Sequence, residues 1–291
     1  MQTDMKMPFA VVLCALTAAM AWSENQTGSV KIFRFSRAKI TIAADSRVTH
    51  SDGTRDDKEC KLAALGNRFV FSATGLTGQR FQAISPAWPT GWNAWDEARA
   101  AWEAQLAETG GVIQSGFVRK VADRWGERVA SMFRLQSPAE FPQIVHHEML
   151  TMGLFAGVNF RGVIVVVVEI VKYDKQRLET SGILSVSNEG FPLDPGNGYC
   201  DSIFALGKTE IATELACGTS DRAKHFAETW NRESVKIRAD KRDSEYLERL
   251  VKATARFHPD RDSVGGPVDV IEVDANNGTH WVQRKENCPP D

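Results

Sequence analysis

The chain has 291 residues, 43% of them hydrophobic and 25% charged, with Lys plus Arg at 35 against Asp plus Glu at 37 and a net charge of −2. These proportions exclude a disordered chain, a collagen-like repeat and a polytopic membrane protein. The balanced charge gives no footprint for nucleic acid and no basic run for an anionic membrane surface.

At the amino terminus, Lys6 is followed by an uncharged apolar run from Pro8 to Trp22. It is shorter than the about 20 residues that cross a bilayer, so no stable membrane span is expected. A short charged start, an apolar middle and the small residues of Ala19-Met20-Ala21 match a cleavable signal peptide over residues 1–21. A buried first helix or a propeptide are the other readings. The signal reading makes the protein secreted or periplasmic. Cys14 would leave with the signal, and Cys60, Cys200, Cys217 and Cys288 would remain, an even set open to one or two disulfides in any pairing. No C-x-x-C spacing is present, so no metal site is expected.

Two strands, V-K-I-F-R-F and K-I-T-I-A-A-D-S-R, read from Ser29 to Thr49 and join near Arg37. A polar loop, S-D-G-T-R-D-D-K, leads to K-L-A-A-L and R-F-V-F-S-A-T, separated by Gly66-Asn67, a two-residue hairpin signal. Helical spacing covers Asn93–Leu106 and Phe117–Leu135. Strand-like segments return at Leu154–Asn159, Gly162–Val171, Gly182–Asn188 and Ser202–Leu206. Helices are expected over Thr209–Trp230, with a break at Gly218, and over Ser244–Phe257. Strands at Val268–Val273 and His280–Arg284 close the chain around Asn276-Asn277-Gly278. This order fits an α+β fold in which two antiparallel sheets pack face to face with helix pairs outside. No repeat or long linker interrupts it, so residues 29–291 read as one domain, with Trp22–Gly28 as a leader.

A turn centred on Arg37 would set Ser29 opposite Asp45, with Cβ atoms about 5 Å apart. Alternation would put Asp45, Arg47 and Thr49 on one face, either a solvated edge or the floor of a site. Gly207-Lys208-Thr209 resembles the end of a P-loop, but Ser202 stands where that motif requires glycine, so a strand-to-helix turn is expected. His146-His147-Glu148 has no third ligand at helical spacing and reads as a polar helix end. Trp88, Trp92, Trp95 and Trp102 are expected to pack between helix and sheet.

The runs I-A-A-D-S-R-V-T, C-K-L-A-A-L-G-N-R-F-V-F-S-A-T-G and V-G-G-P-V-D-V resemble the proteasome β-subunit group of N-terminal-nucleophile (Ntn) hydrolases. The resemblance spans most of the chain from Ser29 to about Arg284 and implies a four-layer αββα sandwich. Carried over without gaps, it puts the nucleophile on Ser29 and the self-cleavage site at Gly28-Ser29. It puts the family's aspartate on Asp45, its lysine on Lys61 and its oxyanion glycine on Gly75. Arg47 and Thr49 fall where the family contacts the substrate's main chain.

The implied chemistry needs these residue types. The Ser29 hydroxyl attacks an amide carbonyl, and its own α-amine is the base, with an unperturbed pKa of about 7.7–8.0. Lys61, held by Asp45, would favour the alkoxide, and the Gly75 N–H would steady the oxyanion. The substrate would be a peptide or amide, with no metal and no cofactor, and the resemblance leaves both a homo-oligomer and a monomer open. The chain departs from the family in using serine for threonine at the nucleophile. It also carries Val264 and Arg261 where the family has serine and aspartate before the late glycine pair. A catalytically silent binding or assembly protein of the same fold is the alternative.

Overall fold

The computed structural model describes residues 30–36, 39–49, 54–80, 91–114, 116–134, 149–159, 164–174, 177–186, 200, 203–259, 264–286 and 288. Residues 1–29, read in the sequence as a signal peptide and leader followed by Ser29, lie outside the described residues, as do Trp88, His146-His147-Glu148 and Arg261.

The protein is a mixed α+β structure with two five-stranded sheets, and every strand pairing among the described residues is antiparallel. The first sheet uses β1 (Val30–Phe35), β2 (Lys39–Asp45), β12 (Ile203–Gly207), β13 (Val268–Asp274) and β14 (Gly278–Gln283), in the order β12-β1-β2-β13-β14. The second uses β5 (Ala63–Leu65), β6 (Phe69–Gly75), β9 (Met149–Val158), β10 (Ile164–Asp174) and β11 (Arg177–Val186), in the order β11-β10-β9-β6-β5. Two short ladders are separate from both sheets: β3 (Val48–Thr49) with β4 (Arg55–Asp56), and β7 (Gly78–Arg80) with β8 (Gly91–Asn93).

Among the described residues there are five α-helices, α1 (Ala94–Glu108), α2 (Phe117–Arg134), α3 (Glu210–Cys217), α4 (Asp221–Ser234) and α5 (Arg242–Phe257), with a short 3-10 turn at Ala239–Lys241 leading into α5. Asn93 starts α1, its Oδ1 accepting from the Trp95 N–H at 2.9 Å. In α2 the buried Val118, Val121, Ala122, Trp125, Val129 and Met132 recur at helical spacing and form one apolar stripe.

Strand alternation sorts the side chains into three clusters. From β1, Phe33 and Phe35 meet Val70, Met152 and Leu154 between the two sheets. Val30 and Ile32, on its other face, pack with Leu215, Trp230, Leu247 and Val251 of the helices α3–α5. From β6, Phe69, Phe71 and Ala73 pack with Trp92, Trp95, Trp102 and Trp125. Trp92, Trp95 and Trp102 therefore fill a helix–sheet interface, as expected for that stretch.

Several local expectations shift. The Ser36 N–H donates to the Lys39 carbonyl at 2.9 Å, so the first hairpin closes over two residues instead of turning about Arg37. Lys31 consequently faces Ala44, and the residue opposite Asp45 in this register is Val30 rather than Ser29. Leu65 faces Phe69, so the turn at Gly66-Asn67 includes Arg68 and is one residue longer than expected. β9 starts at Met149, ahead of the expected Leu154. The break at Gly218 is complete and separates α3 from α4, whose N-cap is Ser220. Gly207-Lys208-Thr209 is the expected strand-to-helix turn between β12 and α3.

The four cysteines pair as Cys60–Cys288 and Cys200–Cys217, with Cα separations of 5.2 and 5.0 Å. The first joins the carboxy-terminal segment to the stretch before β5, and the second joins the approach to β12 to the end of α3. Among the described residues, no helix is long and apolar enough to cross a membrane.

Candidate functional site

β2 ends at Asp45, which is fully buried. A carboxylate in that position requires donors, and three arrive from separate parts of the chain. Oδ1 accepts from the Lys61 Nζ at 2.9 Å and from the Val30 N–H at 2.8 Å, while Oδ2 accepts from the Gly265 N–H at 3.0 Å. Val30 is the residue bonded directly to the Ser29 carbonyl carbon, so Asp45 grips the backbone at the first peptide after Ser29.

Lys61 is buried too, and its ammonium also donates to the Arg47 carbonyl. Its own main-chain carbonyl accepts from the Ser72 hydroxyl at 2.9 Å, which fixes the backbone at Lys61 against β6. Burial pulls the Lys61 pKa below its ordinary value, and the charge and hydrogen bond of Asp45 oppose that pull.

The loop around Gly265 forms the wall. The Gly265 carbonyl accepts from the N–H groups of Ser46 and Arg47 at 3.1 and 3.0 Å, and the Ser46 hydroxyl donates to the Pro267 carbonyl at 2.7 Å. Gly266 has a φ of 76°, and a Cβ there would lie 2.5 Å from the Ser46 Oγ, so the second glycine of the pair is needed for this close approach. Val264, where the resembled family has serine, is buried in the cluster with α3–α5 and brings no hydroxyl.

Arg47 is half-buried and clamps Asp57 through two bonds of 2.6 and 2.7 Å. That guanidinium holds the Asp57 carboxyl below its usual range. Asp45, Arg47 and Thr49 do not share the face of one continuous strand. The ladder of β2 stops at Asp45, and pairing resumes at Val48–Thr49, where Thr49 faces Arg55 of β4. Gly75 ends β6 opposite Thr151, with a φ of 88°. A Cβ at that position would stand 2.6 Å from the Leu150 carbonyl oxygen, so only glycine fits.

Of the residues singled out in the sequence, Asp45, Lys61 and Arg47 come together by direct contact. Gly75 ends the strand that also carries Ser72. Thr49 lies one short ladder away. Gly28 and Ser29 are outside the described residues.

Three further charged residues escape a reading of the sequence. Lys31 is 1% exposed and donates from its Nζ to the Ala73 carbonyl on β6 at 2.5 Å. Buried Asp269 pairs with half-buried Lys285 at 2.6 Å, and Lys285 also donates to the Glu59 carbonyl at 2.7 Å, beside the Cys60–Cys288 pair. Cys60, Asp269 and Cys288 cluster closely, but the two sulfurs are bonded to each other, so the group is a staple and not a metal centre. The one signal for Lys31 was a lysine set between valine and isoleucine in a strand with apolar residues on both faces.

Fold and site together define a mixed α+β protein on two antiparallel sheets with a buried lysine–aspartate pair at the start of its first strand. No family model matches the chain, and no curated protein matches it.

Proposed function

We propose that the chain is an exported Ntn hydrolase of the proteasome β-subunit kind, cleaving peptide or amide bonds with Ser29 as its amino-terminal nucleophile. The observation that carries this reading is the buried Asp45–Lys61 pair, with Asp45 also accepting from the Val30 N–H. A buried ion pair is a weak source of stability, because desolvation offsets its attraction. Its attachment to the peptide that follows Ser29 is what an activated amino-terminal nucleophile needs. The finer architecture in this reading is a four-layer αββα sandwich forming one domain over residues 29–291. The three hydrophobic clusters support it: helix against sheet, sheet against sheet, and sheet against helix.

In this mechanism a leader ending at Gly28 is first removed. The Ser29 Oγ attacks the Gly28 carbonyl, the Gly28–Ser29 C–N bond breaks as the nitrogen takes up the hydroxyl proton and becomes the free α-amine, and water then hydrolyses the resulting ester, releasing the leader as a carboxylate and restoring the Ser29 hydroxyl. That amine then takes the Ser29 hydroxyl proton as Oγ attacks a substrate carbonyl. The Lys61 ammonium favours the developing alkoxide, and the Gly75 N–H steadies the oxyanion, a donor worth about 3–4 kcal/mol where such groups have been deleted. The α-ammonium returns its proton to the leaving amine, and water releases the acyl group from Ser29. Arg47 and Thr49 are assigned to the substrate's main chain, taken up as an added strand.

One observation favours the second reading, a catalytically silent binding or assembly protein of this fold. Val264 puts an apolar side chain where the resembled family orients the amine with a hydroxyl. Hydrolysis of a fluorogenic peptide and amide panel by wild type and Ser29→Ala decides between them. Activity in the wild type that is lost in the variant supports the hydrolase. Equal activity in both rules out the Ntn mechanism, and inactivity of a correctly processed wild type supports the silent protein.

A further inference from the structure

Lys61 is carried by a stretch without regular pairing. Residues 57–62 lie between β4 and β5, outside both strands. Contacts from two sides hold their backbone. On one side the Ser72 hydroxyl of β6 donates to the Lys61 carbonyl at 2.9 Å. On the other lies the carboxy-terminal segment that follows β14. There the Lys285 Nζ donates to the Glu59 carbonyl at 2.7 Å, and Cys288 is bonded to Cys60, the residue directly before Lys61. The Cys288 N–H donates to the Lys285 carbonyl at 3.1 Å, so both attachments belong to one turn of chain.

The same turn is anchored beside Asp45. Lys285 reaches Asp269 twice, with its N–H on Oδ1 at 3.0 Å and its Nζ on Oδ2 at 2.6 Å. Asp269 is fully buried on β13, where it faces Ala44 of β2, and its neighbour Val268 faces Asp45. The contacts close a ring. It runs from Asp45 through Val268 and Asp269 to Lys285, on to Glu59 and Cys60, and back through Lys61, whose Nζ meets Asp45 at 2.9 Å. Cys60–Cys288 is the covalent link that holds this turn on the residue next to Lys61.

From this ring we infer that the Cys60–Cys288 disulfide is a positioning device for Lys61, setting its ammonium on Asp45 when the two cysteines are oxidised and releasing it when they are reduced. The inference rests on the hydrolase reading for its catalytic consequence: the chain is inactive as a dithiol and becomes competent in an oxidising compartment, where such bonds persist. In the activating step the thiols of Cys60 and Cys288 give up two protons and two electrons as the S–S bond forms. A low-molecular-weight disulfide takes them and leaves as two thiols. Cys60 is half-buried and Cys288 is 2% exposed, so exchange enters at the Cys60 sulfur. Cys200–Cys217 contains no residue of the ring and serves as the comparison.

The test uses the full exported chain carrying Cys200→Ser and Cys217→Ser, so that a dithiol reductant acts on Cys60–Cys288. If that background does not fold, Cys60→Ser with Cys288→Ser stands in for the reduced state against wild type. Two readouts are taken: acetylation of each lysine by acetic anhydride, located by peptide mass spectrometry, and Ser29-dependent hydrolysis of the peptide and amide panel. Reduction should speed acetylation of Lys61 about tenfold, while Lys31, equally buried at 1% exposed, stays protected. The kcat should fall about 100-fold with KM within about twofold, and reoxidation with glutathione disulfide before the assay should restore both readouts. A Lys61 that stays protected after reduction overturns the proposal, as does hydrolysis that continues unchanged. Faster acetylation of Lys61 and Lys31 together also overturns it, because the bond then holds the whole fold and not this lysine. If Lys61 alone is freed but the oxidised protein hydrolyses nothing in a Ser29-dependent way, the hydrolase reading fails and the positioning of Lys61 stands.

Discussion

Asp45 and Glu169 are both carboxyl groups removed from water, at 0% and 1% exposed, and their surroundings could hardly differ more. Asp45 ends a strand and collects donors from β1, from the stretch before β5 and from the Gly265 loop. Glu169 lies in the middle of β10 and faces α2, where Gly126 makes room for it; a Cβ there would be 2.8 Å from its Oε1. Among the described residues nothing bonds its Oε2. Burial pushes the Glu169 pKa up to about 7, with Asp123 and Glu127 adding to the rise and Arg119 opposing it. A raised pKa by itself would single out Glu169 as functional. Convergence of donors from distant segments is the stronger criterion, because folding has to bring each of them there. By that measure Asp45 belongs to a built site, and Glu169 is an unmatched acid in a helix–sheet interface.

Substitution at the paired carboxylate should have the largest effect. Asp45→Asn keeps the shape but leaves the buried Lys61 ammonium without its counter-charge, a loss of about 3–5 kcal/mol in urea unfolding. A loss under about 1 kcal/mol would put Asp45 in the class of solvated ion pairs and erase the contrast. Next in size is Gly75→Ala, which forces an alanine into positive φ against the Leu150 carbonyl. The expected cost is about 1–3 kcal/mol, together with lost hydrolysis if the Gly75 N–H serves the oxyanion.

Glu169→Gln should give the smallest effect and the opposite sign. The folded pKa of Glu169 lies above the ordinary 4.5. Its favourable contribution is therefore complete below about 4.5, declines as pH rises toward about 7, and is gone above that. The amide carries no such penalty, so the variant should gain about 2–4 °C in Tm at pH 8 and nothing at pH 4. A gain that is the same at both pH values would mean that packing, and not ionisation, distinguishes this acid.

Much of this contrast was legible in the sequence, and the remainder has physical reasons. The alternation of K-I-T-I-A-A-D reveals β2, and the resemblance carried by I-A-A-D-S-R-V-T and C-K-L-A-A-L-G-N-R-F-V-F-S-A-T-G, rather than any spacing, singles out Asp45, Lys61 and Gly75, which lie on or beside β2 and β6. The cross-strand partner of Asp45 was off by one residue, because register depends on whether the turn spans one residue or two. Lys31 escaped notice because nothing local in V-K-I-F-R-F shows what covers the face it shares with Phe33 and Phe35; the second sheet, distant in sequence, buries it. Glu169 escaped for the same reason in V-V-V-V-E-I-V, since α2 covers that face. Cysteine pairing was equally out of reach: Cys60 and Cys288 are 228 residues apart in sequence, and they meet beside the contacts of Lys285 with Asp269 and the Glu59 carbonyl.

The central claim is that Asp45 and Lys61 serve an amino-terminal Ser29. Intact mass and amino-terminal sequencing of the folded protein recovered from an oxidising export route address it directly. The account requires a chain that begins at Ser29, with its α-amine free. A folded chain that retains Trp22–Gly28 ahead of Ser29 would keep that amine in a peptide bond and contradict it.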